Sequence, residues 1–386
     1  MSIIIFIIIL LVLVLVHEAG HFFTAKRFGI RVDEFGFGFP PKLFSFKKGE
    51  TEYSFNLLPL GGFVKIFGED FDEADFVEVG FLDKEENPGK MELAKRSLAN
   101  KPKWQQALVL FAGVFANFLL AWLLFSFGFM SGLPTSVGSE RAGSRLEDIN
   151  LVVVSVLAKS PAENAGLKIG DKMISLQTIL LPGEIDKESV NNLNPEILKS
   201  FIVSHENREI KVGYMRGKDK EIYFTKLTPV TSTVNGKPEI GIAMDQIGIA
   251  KLPFFTALLE GMKLDLLMTK GTVVGLYTLI ADAIQGKGSL ASISGPVGMV
   301  GIVGDAYQFG FVYLLSFAAL ISINLAIINL LPFPALDGGR LFFLLIEKIK
   351  GSRINPKITN AVNMAGFGLL ILLMLVVTYH DIVKLF

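Results

Sequence analysis

The chain has 386 residues, of which 51% are hydrophobic and 19% are charged, and its formal net charge is zero. The zero net charge argues against nucleic acid as a partner, and the absence of cysteine excludes thiolate metal ligands, thiol catalysis and structural disulfides. The mean hydropathy of +0.50 is too high for an ordinary soluble protein and predicts a polytopic α-helical membrane protein.

The first predicted element is an apolar run that begins at Ile3 and reaches Val16 without a polar residue. A helix over residues 3–25 is long enough to cross the hydrocarbon core of a bilayer. The run has neither a basic segment before it nor a small-residue cleavage site after it. We therefore expect residues 1–25 to contain a retained membrane span rather than a signal peptide.

Three polar residues, His17, Glu18 and His21, interrupt this predicted span. An ionised group at mid-membrane costs about 2.5–3.5 kcal/mol on insertion scales, so such residues usually mark function. His17 and His21 are four positions apart, and a helix places both imidazoles on one face. The pattern H-E-x-x-H predicts that the histidines bind zinc and that Glu18 is the general base. The alternative is chance, which produces the pattern in roughly one chain in a hundred of this length.

The following segment, residues 26–103, is rich in Lys and Arg, whereas no basic residue precedes the first predicted span. The positive-inside rule therefore predicts that this segment is cytoplasmic. Residues 52–57 alternate between polar and apolar, and a second strand-like run follows Gly61 and Gly62, which predicts a re-entrant β-hairpin over about 50–68. We expect the edge of this hairpin, with its two glycines, to bind an extended substrate strand. The alternative is a surface hairpin without substrate contact.

Residues 104–130 form the second predicted span, and residues 135–250 form an extracytoplasmic module after it. The module has strand-like runs separated by turn residues, and Ser160 with Pro161 is predicted to open a short helix. Its stretch S-P-A-E-N-A-G-L-K-I-G-D resembles PDZ domains, which bind peptide ends by adding a strand to a sheet edge. We therefore expect one inserted PDZ-like α+β domain that binds a peptide or a substrate tail, with a structural role for His205.

Residues 251–307 are predicted to be amphipathic helices at the membrane interface, because the apolar stretch 252–284 carries more Glu, Asp and Lys than a span usually does. The third and fourth predicted spans cover residues 308–334 and 362–386. The basic loop between them, 335–361, is predicted to be cytoplasmic. Four spans place both termini and the PDZ-like domain outside the cytoplasm.

A catalytic zinc site has three protein ligands, so a third ligand is expected beside His17 and His21. The residue six positions after His21 is Arg27, which excludes the third histidine of the pattern H-E-x-x-H-x-x-G-x-x-H. The two other histidines, His205 and His380, are expected on the outer side of the membrane. A carboxylate from another segment near the inner face is therefore predicted as the third ligand.

Asp337 is the candidate carboxylate, since it comes just after the third predicted span, on the same side of the membrane as the two histidines. Pro332 and Pro334 are expected to end the helix before it and to direct the aspartate sideways. The alternative is a solvated aspartate in a tight turn, because Asp-Gly is a common turn dipeptide. A full span over 252–284 would move Asp337 to the opposite face from the histidines.

Three features together resemble one protein family. They are the motif H-E-A-G-H at residues 17–21, the motif L-D-G at residues 336–338 after N-L-L-P-F-P-A, and the PDZ-like domain between spans. They are similar to the site-2 protease family of intramembrane zinc metalloproteases, in particular its bacterial RseP-type branch (regulator of sigma-E protease-like). Residues 35–70, 292–302 and F-A-G-V-F-A-N-F in the second span extend the resemblance. In two departures, Val114 replaces the proline of the family motif G-P-x-x-N, and one PDZ-like domain stands where some relatives carry two.

The resemblance implies one zinc ion per chain and a set of site residues on the first, second and third spans or at their ends. The implied zinc ligands and catalytic base are His17, His21, Asp337 and Glu18. Asn329 is implied to hold the substrate near the metal. Asn324 and Asn117 match other recurring polar positions of the family, with structural or substrate-contact roles.

The resemblance also implies an activity and its place. Enzymes of this family cleave transmembrane segments of single-pass membrane proteins, such as anti-sigma factors or signal-peptide remnants, after another protease has trimmed the outer domain. The chain would lie in the bacterial inner (cytoplasmic) membrane, in contact with the lipid bilayer, with its active site near the cytoplasmic face. The alternatives are a catalytically silent scaffold or chaperone that binds transmembrane helices, and a transporter. The transporter interpretation lacks repeated halves and leaves the H-E-x-x-H spacing unexplained.

Overall fold

In a computed structural model of the chain, the described residues are 1–69, 88–137, 146–179, 189–191, 193–217, 221–231, 236–287 and 294–385. Parts of the predicted features lie outside these ranges, among them 70–87 of the predicted cytoplasmic loop and residues 292–293 of the second family-like block. The chain divides into two compact units. The first contains residues 1–125, 261–304 and 316–386, and the second contains residues 126–260 and 305–315.

Helices dominate the first unit. The α-helices of the described chain are α1 (Ser2–Arg27), α2 (Pro88–Lys95), α3 (Lys103–Ser131), α4 (Pro161–Asn164), α5 (Pro195–Ser204), α6 (Phe254–Ile284), α7 (Pro296–Phe309), α8 (Phe311–Leu330), α9 (Asp337–Lys350) and α10 (Pro356–Leu385). Five of these, α1, α3, α6, α8 and most of α10, are long and apolar enough to cross a membrane. The architecture is that of a polytopic membrane protein.

Helix α6 covers most of the stretch for which the sequence predicted amphipathic interface helices. It is one continuous helix of 31 residues, long and apolar enough to be a fifth span by length and composition. Leu264, Met268 and Leu276 pack against an apolar cluster formed by α3 and α8. Two acidic residues of α6, Glu260 and Asp265, are buried.

Two long strands, β1 (Val32–Lys48) and β2 (Thr51–Ile66), follow α1 and pair antiparallel. The predicted bounds of the hairpin, about 50–68, were wrong because they leave out β1. The turn lies between β1 and β2, and Gly61 and Gly62 lie inside β2. The physical reason is that β1 contains glycines and two prolines, which strands disfavour, so its sequence does not read as a strand.

The turn of this hairpin is attached to α1. Gly49 has φ +66°, a conformation that glycine adopts without steric cost. Glu50 beside it accepts hydrogen bonds from Nζ of Lys26 and from Nη2 of Arg96, both at 2.6 Å. The bond from Lys26, with that from Arg96, outweighs the effect of burial and holds the pKa of the Glu50 carboxyl below its ordinary value. The turn is thus fixed to the C-terminal end of α1.

The last part of β2 is an outer strand. Residues 34–37 of β1 have partners on both sides, residues 62–65 on one side and 52–55 on the other. Residues 62–66 pair with β1 on one side, and within the described ranges no strand pairs with their other edge. Val64 and Ile66 from this strand join Phe22 of α1 in an apolar cluster. The hairpin therefore packs on α1 with one strand edge open.

The second compact unit contains a seven-stranded antiparallel sheet with the order β3-β11-β4-β5-β7-β8 and with β6 beside β5. Its strands, together with a separate pair β9 and β10, are β3 (Leu133–Ser136), β4 (Leu146–Val156), β5 (Lys172–Thr178), β6 (Ser189–Asn191), β7 (Ile210–Met215), β8 (Tyr223–Leu227), β9 (Val230–Thr231), β10 (Pro238–Glu239) and β11 (Ile242–Ala250). Helix α4 begins at Pro161, and Oγ of Ser160 caps it by accepting from the N–H of Glu163. His205 is buried, and its Nδ1 donates to the carbonyl oxygen of Phe201 at 2.8 Å.

We expect Arg216→Ala to destabilise this second unit by about 3–5 kcal/mol, because it would leave a buried carboxylate without its cation. Asp171 is fully buried, and Nε and Nη2 of Arg216 donate to its two oxygens at 2.7 Å each. Lys226→Ala is the matched control, since the pair of Lys226 with Glu209 is exposed, and such pairs contribute about 1 kcal/mol or less. Hydrogen exchange of β7 in the full chain in detergent measures the difference. Equal protection in the two variants would contradict the expectation.

Candidate metal centre

Three side chains that the sequence predicted as ligands come together at the end of α1. His17 and His21 are buried on one face of this helix, and their Nε2 atoms are 3.2 Å apart. Asp337 is the first residue of α9, and its Oδ2 lies 3.0 Å from Nε2 of His17 and 3.3 Å from Nε2 of His21. Two imidazoles and one carboxylate thus converge, although the aspartate is distant from the histidines in the chain.

The opposite ring nitrogens of the two histidines contact α3. Nδ1 of His21 donates to the carbonyl oxygen of Val109 at 2.8 Å, and Nδ1 of His17 lies 3.3 Å from the side-chain amide of Asn117. Oδ1 of this amide is buried and has no other hydrogen bond among the described residues. If the amide is rotated by 180°, Oδ1 accepts a hydrogen bond from Nδ1 of His17. A neutral histidine with its hydrogen on Nδ1 keeps a lone pair on Nε2. Helix α3 therefore orients both Nε2 lone pairs toward Asp337, as in metal-binding histidines.

The three converging atoms fit a zinc ion. Zinc bonds of about 2.0–2.1 Å in a tetrahedral arrangement place neighbouring ligand atoms about 3.3–3.4 Å apart. The three distances among the Nε2 atoms of His17 and His21 and Oδ2 of Asp337 are 3.0–3.3 Å. Oδ2 is also buried, and it accepts no hydrogen bond from the part of the chain that is described. Three lone pairs face one another, a donor set that a cation satisfies and that leaves one tetrahedral position for water or substrate.

The turn before α9 directs Asp337 toward the histidines. Helix α8 ends at Leu330, before Pro332 and Pro334, in agreement with the sequence-based expectation that these prolines end it. The glycines after Asp337 are tightly packed rather than flexible. A Cβ on Gly338 would overlap the carbonyl oxygen of Leu331, and a Cβ on Gly339 would overlap that of Phe333. The motif L-D-G-G therefore needs both glycines for the close approach of α9 to the end of α8.

Glu18 lines a cavity of about 210 Å³ beside the three converging atoms. The backbone of Val64 in β2 interacts with the carboxylate of Glu18. Gly62 lies two residues earlier on the same strand, where a Cβ would be 3.5 Å from Cγ of Glu18. The open-edged strand of the hairpin therefore passes beside this carboxylate. The residues that line the cavity are Val14, His17, Glu18, Leu325, Asn329, Ala335, Leu336 and Asp337.

Known proteins similar to this chain are peptidases. The model of peptidase family M50 matches residues 5–373. The chain belongs to peptidase family M50. The zinc metalloprotease RasP of Geobacillus kaustophilus is 33% identical, over 100% of this chain and 98% of the relative. The regulator of sigma-W protease RasP of Bacillus subtilis is 32% identical, over 100% of this chain and 99% of the relative.

This M50 peptidase has part of its predicted substrate-binding set at the cavity. Asn329 lines the cavity, and its Nδ2 lies 3.4 Å from Nε2 of His17. Gly62 lies beside Glu18, and Gly61 is buried next to it in β2. Asn329 and Gly62 therefore lie close to His17 and Glu18.

The two other predicted asparagines do not line the cavity of the M50 peptidase. Asn324 lines a different cavity, of about 470 Å³, between α6 and α8. Asn117 is fully buried, and its side-chain amide lies 3.3 Å from Nδ1 of His17. Asn117 had been predicted with a structural or a substrate-contact role, and its burial favours the structural one.

The M50 peptidase also has site residues that sequence reasoning did not single out. A Cβ on Gly113 of α3 would overlap Nε2 of His21 and would lie 2.9 Å from Cε1 of His17. Gly113 is the first residue of the stretch compared with the family motif G-P-x-x-N, four positions before Asn117 on the same face of α3, and this match is the signal that could have found it. Val109 acts through its backbone carbonyl, and a backbone contact leaves no trace in side-chain identity.

Proposed function

We propose that this M50 peptidase is an intramembrane zinc endopeptidase that cleaves transmembrane segments of single-pass membrane proteins. One observation carries the proposal. The Nε2 atoms of His17 and His21 and Oδ2 of Asp337 lie 3.0–3.3 Å from one another, at the end of an apolar helix that is long enough to cross a membrane. This is the ligand number of a catalytic zinc site, and its place on a candidate span brings it to peptide bonds within the bilayer.

The side chains around these atoms have separate roles in the proposed reaction. When bound, zinc polarises the scissile carbonyl and makes water more acidic. Glu18 takes a proton from the attacking water and passes it to the leaving nitrogen. Asn329 donates a hydrogen bond to the substrate close to His17. Asn117 holds His17 in the tautomer that leaves Nε2 for the metal.

The open edge of β2 is proposed to hold the substrate as an extended strand. The carbonyl groups of a helix are already hydrogen-bonded within the helix, so a transmembrane substrate is unwound before cleavage. Residues 62–66 offer backbone groups for strand addition, and Gly62 leaves room for another backbone beside Glu18. Main-chain hydrogen bonds select side chains weakly, and loose sequence specificity follows.

The seven-stranded module is proposed to be a PDZ-like domain outside the cytoplasm. Its support is the sheet together with the short helix that begins at Ser160 and Pro161, inside the stretch that resembles PDZ domains. We propose that it binds a peptide or a substrate tail and that it excludes substrates with large outer domains. Cleavage would then follow trimming by another protease.

We also propose that α1, α3, α8 and α10 are the four full spans, with both termini outside the cytoplasm and the metal centre near the cytoplasmic face. The Lys and Arg residues after α1 and in the loop 335–361 support this orientation. The membrane is proposed to be the bacterial inner membrane. A relative in Bacillus subtilis is named a regulator of sigma-W protease. By analogy, anti-sigma factors are candidate substrates, and signal-peptide remnants are a second group.

The test compares wild type with Glu18→Gln on a single-span substrate whose outer domain has been removed, in detergent. We expect Glu18→Gln to lower the cleavage rate by about 10²–10⁴-fold, the usual contribution of a general base. Zinc should be near-stoichiometric in both proteins, since Glu18 is not a ligand in the proposal. Equal background cleavage in both, or no bound metal in either, would overturn the protease proposal and favour a silent scaffold that binds transmembrane helices.

A further inference from the structure

The turn that presents Asp337 has an unusual backbone. Ala335, two residues before the aspartate, has φ +69°, a left-handed conformation that residues other than glycine rarely adopt. Such conformations persist where surrounding contacts hold them. Within the turn, the N–H of Phe333 donates to Leu331 and the N–H of Leu336 donates to Phe333. The N–H of Ala335 has its partner in another element.

That element is α10. The N–H of Ala335 donates to Oδ1 of Asn363 at 3.2 Å. One helical turn later, Gly366 packs against Pro334, where a Cβ would lie 2.5 Å from Cβ of Pro334 and 2.9 Å from its carbonyl oxygen. Residues 363 and 366 share a face of α10 because they are three positions apart. This face therefore contacts the turn at the two consecutive residues that precede Leu336.

Helix α10 contributes to the metal centre through its contacts with the turn, and it carries none of the three converging residues. None of the described residues that line the catalytic cavity lies on α10 either. A functional site tolerates displacements of about 0.5 Å, so the backbone that carries a ligand must be held. A change in the backbone at Ala335 would move the carboxylate of Asp337 relative to His17 and His21.

We propose that Asn363 is a positioning residue for Asp337, and that it acts through the N–H of Ala335. The inference rests on the proposed function in one respect, since it takes Asp337 to be a zinc ligand. Asn363 contacts neither the substrate nor the reacting atoms. Groups that hold a metal ligand in place typically change metal affinity by about 10–100-fold when they are removed.

The test is a zinc titration of the purified full-length protein in detergent, after removal of metal with a chelator. A fluorescent chelator competes with the protein for added zinc chloride. We expect Asn363→Ala to lower zinc affinity by about 10–100-fold. Asn363→Gln moves the amide oxygen by one methylene group and should lower the affinity as well. Asn363→Asp keeps an acceptor oxygen in place and should restore most of it.

Asn360 provides the matched controls, because it lies one turn earlier on the same helix and makes no side-chain hydrogen bond to the turn among the described residues. Asn360→Ala controls for loss of an amide, and Asn360→Asp controls for the added charge. Wild-type zinc affinity in Asn363→Ala or Asn363→Gln, even with a lower unfolding temperature of the metal-free protein, would overturn the positioning role. Wild-type zinc affinity in Asp337→Asn would instead overturn the proposed ligand set, so the two failures are distinguishable.

Discussion

Asp337→Asn is expected to lower zinc affinity by about a thousandfold and to abolish cleavage. Asparagine keeps the size of the side chain and therefore the fit of the turn, but its neutral amide oxygen is a much weaker zinc ligand than a carboxylate. Zinc sites in proteins bind with about 10–16 kcal/mol, of which one ligand in three accounts for about 3–5 kcal/mol. A loss of about 4 kcal/mol corresponds to about a thousandfold in affinity.

The measurement is the zinc content of the purified variant after gel filtration in detergent, together with a competition titration. Asp33→Asn is the control, since Asp33 lies away from the metal centre. Its Oδ1 accepts from Nε of Arg31 at 2.6 Å. It should retain about one zinc per chain. Near-stoichiometric, tightly bound zinc in Asp337→Asn would mean that another residue is the third ligand, and the proposed site would then be wrong.

The two histidines and the aspartate were accessible to sequence reasoning to different degrees. His17 and His21 needed helix geometry alone, since an interval of four residues places two imidazoles on one face whatever the tertiary structure. Asp337 needed a topology, and the count of spans that supported it assumed that residues 252–284 do not cross. The structure brings the carboxylate to the histidines, with Oδ2 of Asp337 3.0 Å and 3.3 Å from their Nε2 atoms. This contact does not depend on how many helices cross the membrane.

The hairpin shows where local pattern fails. β2 alternates polar and apolar residues at its start and was predicted as a strand there, but β1 contains glycines and two consecutive prolines, which strands disfavour. Pairing across the hairpin stabilises β1 through aromatic contacts such as Phe46 on Tyr53, with ring centroids 5.3 Å apart. Such contacts depend on the partner strand, so the strand propensity of a single segment does not predict them.

The asparagines show a related limit. Asn117, Asn324 and Asn329 have the same side chain and all lie on apolar helices. Asn117 contacts Nδ1 of His17, Asn324 lines a separate cavity, and Asn329 lines the cavity beside Glu18. Which face of a span meets its neighbours is decided by helix packing. For this reason the resemblance to the family singled out each position, and the structure was needed to say what each one contacts.

Gly113→Ala is expected to disrupt the metal centre, although alanine favours a helix by about 1 kcal/mol over glycine. Gly113 faces α1, and an added Cβ would overlap Nε2 of His21 and would lie 2.6 Å from its Cε1 and 2.9 Å from Cε1 of His17. Either the imidazoles turn away or α1 and α3 separate, and both changes move Nε2 from the position that meets Asp337. We expect zinc affinity to fall by about a hundredfold, the upper end for groups that orient ligands, and cleavage to fall with it.

Gly271→Ala in α6 is the matched control, because it is the same change inside another apolar helix. Apart from the adjacent backbone of α6, no atom of the described residues lies within 4 Å of the added Cβ. It should leave zinc affinity unchanged and stabilise the helix by up to about 1 kcal/mol. Zinc titration and circular dichroism of both variants separate loss of the site from loss of the fold. Wild-type zinc affinity in Gly113→Ala would mean that α3 leaves room at the histidines and that its contact does not orient them. A loss of zinc affinity in Gly113→Ala alone, with helicity retained, would mean that α3 shapes the metal centre in two ways. Gly113 leaves room for the imidazoles, and Asn117 contacts His17.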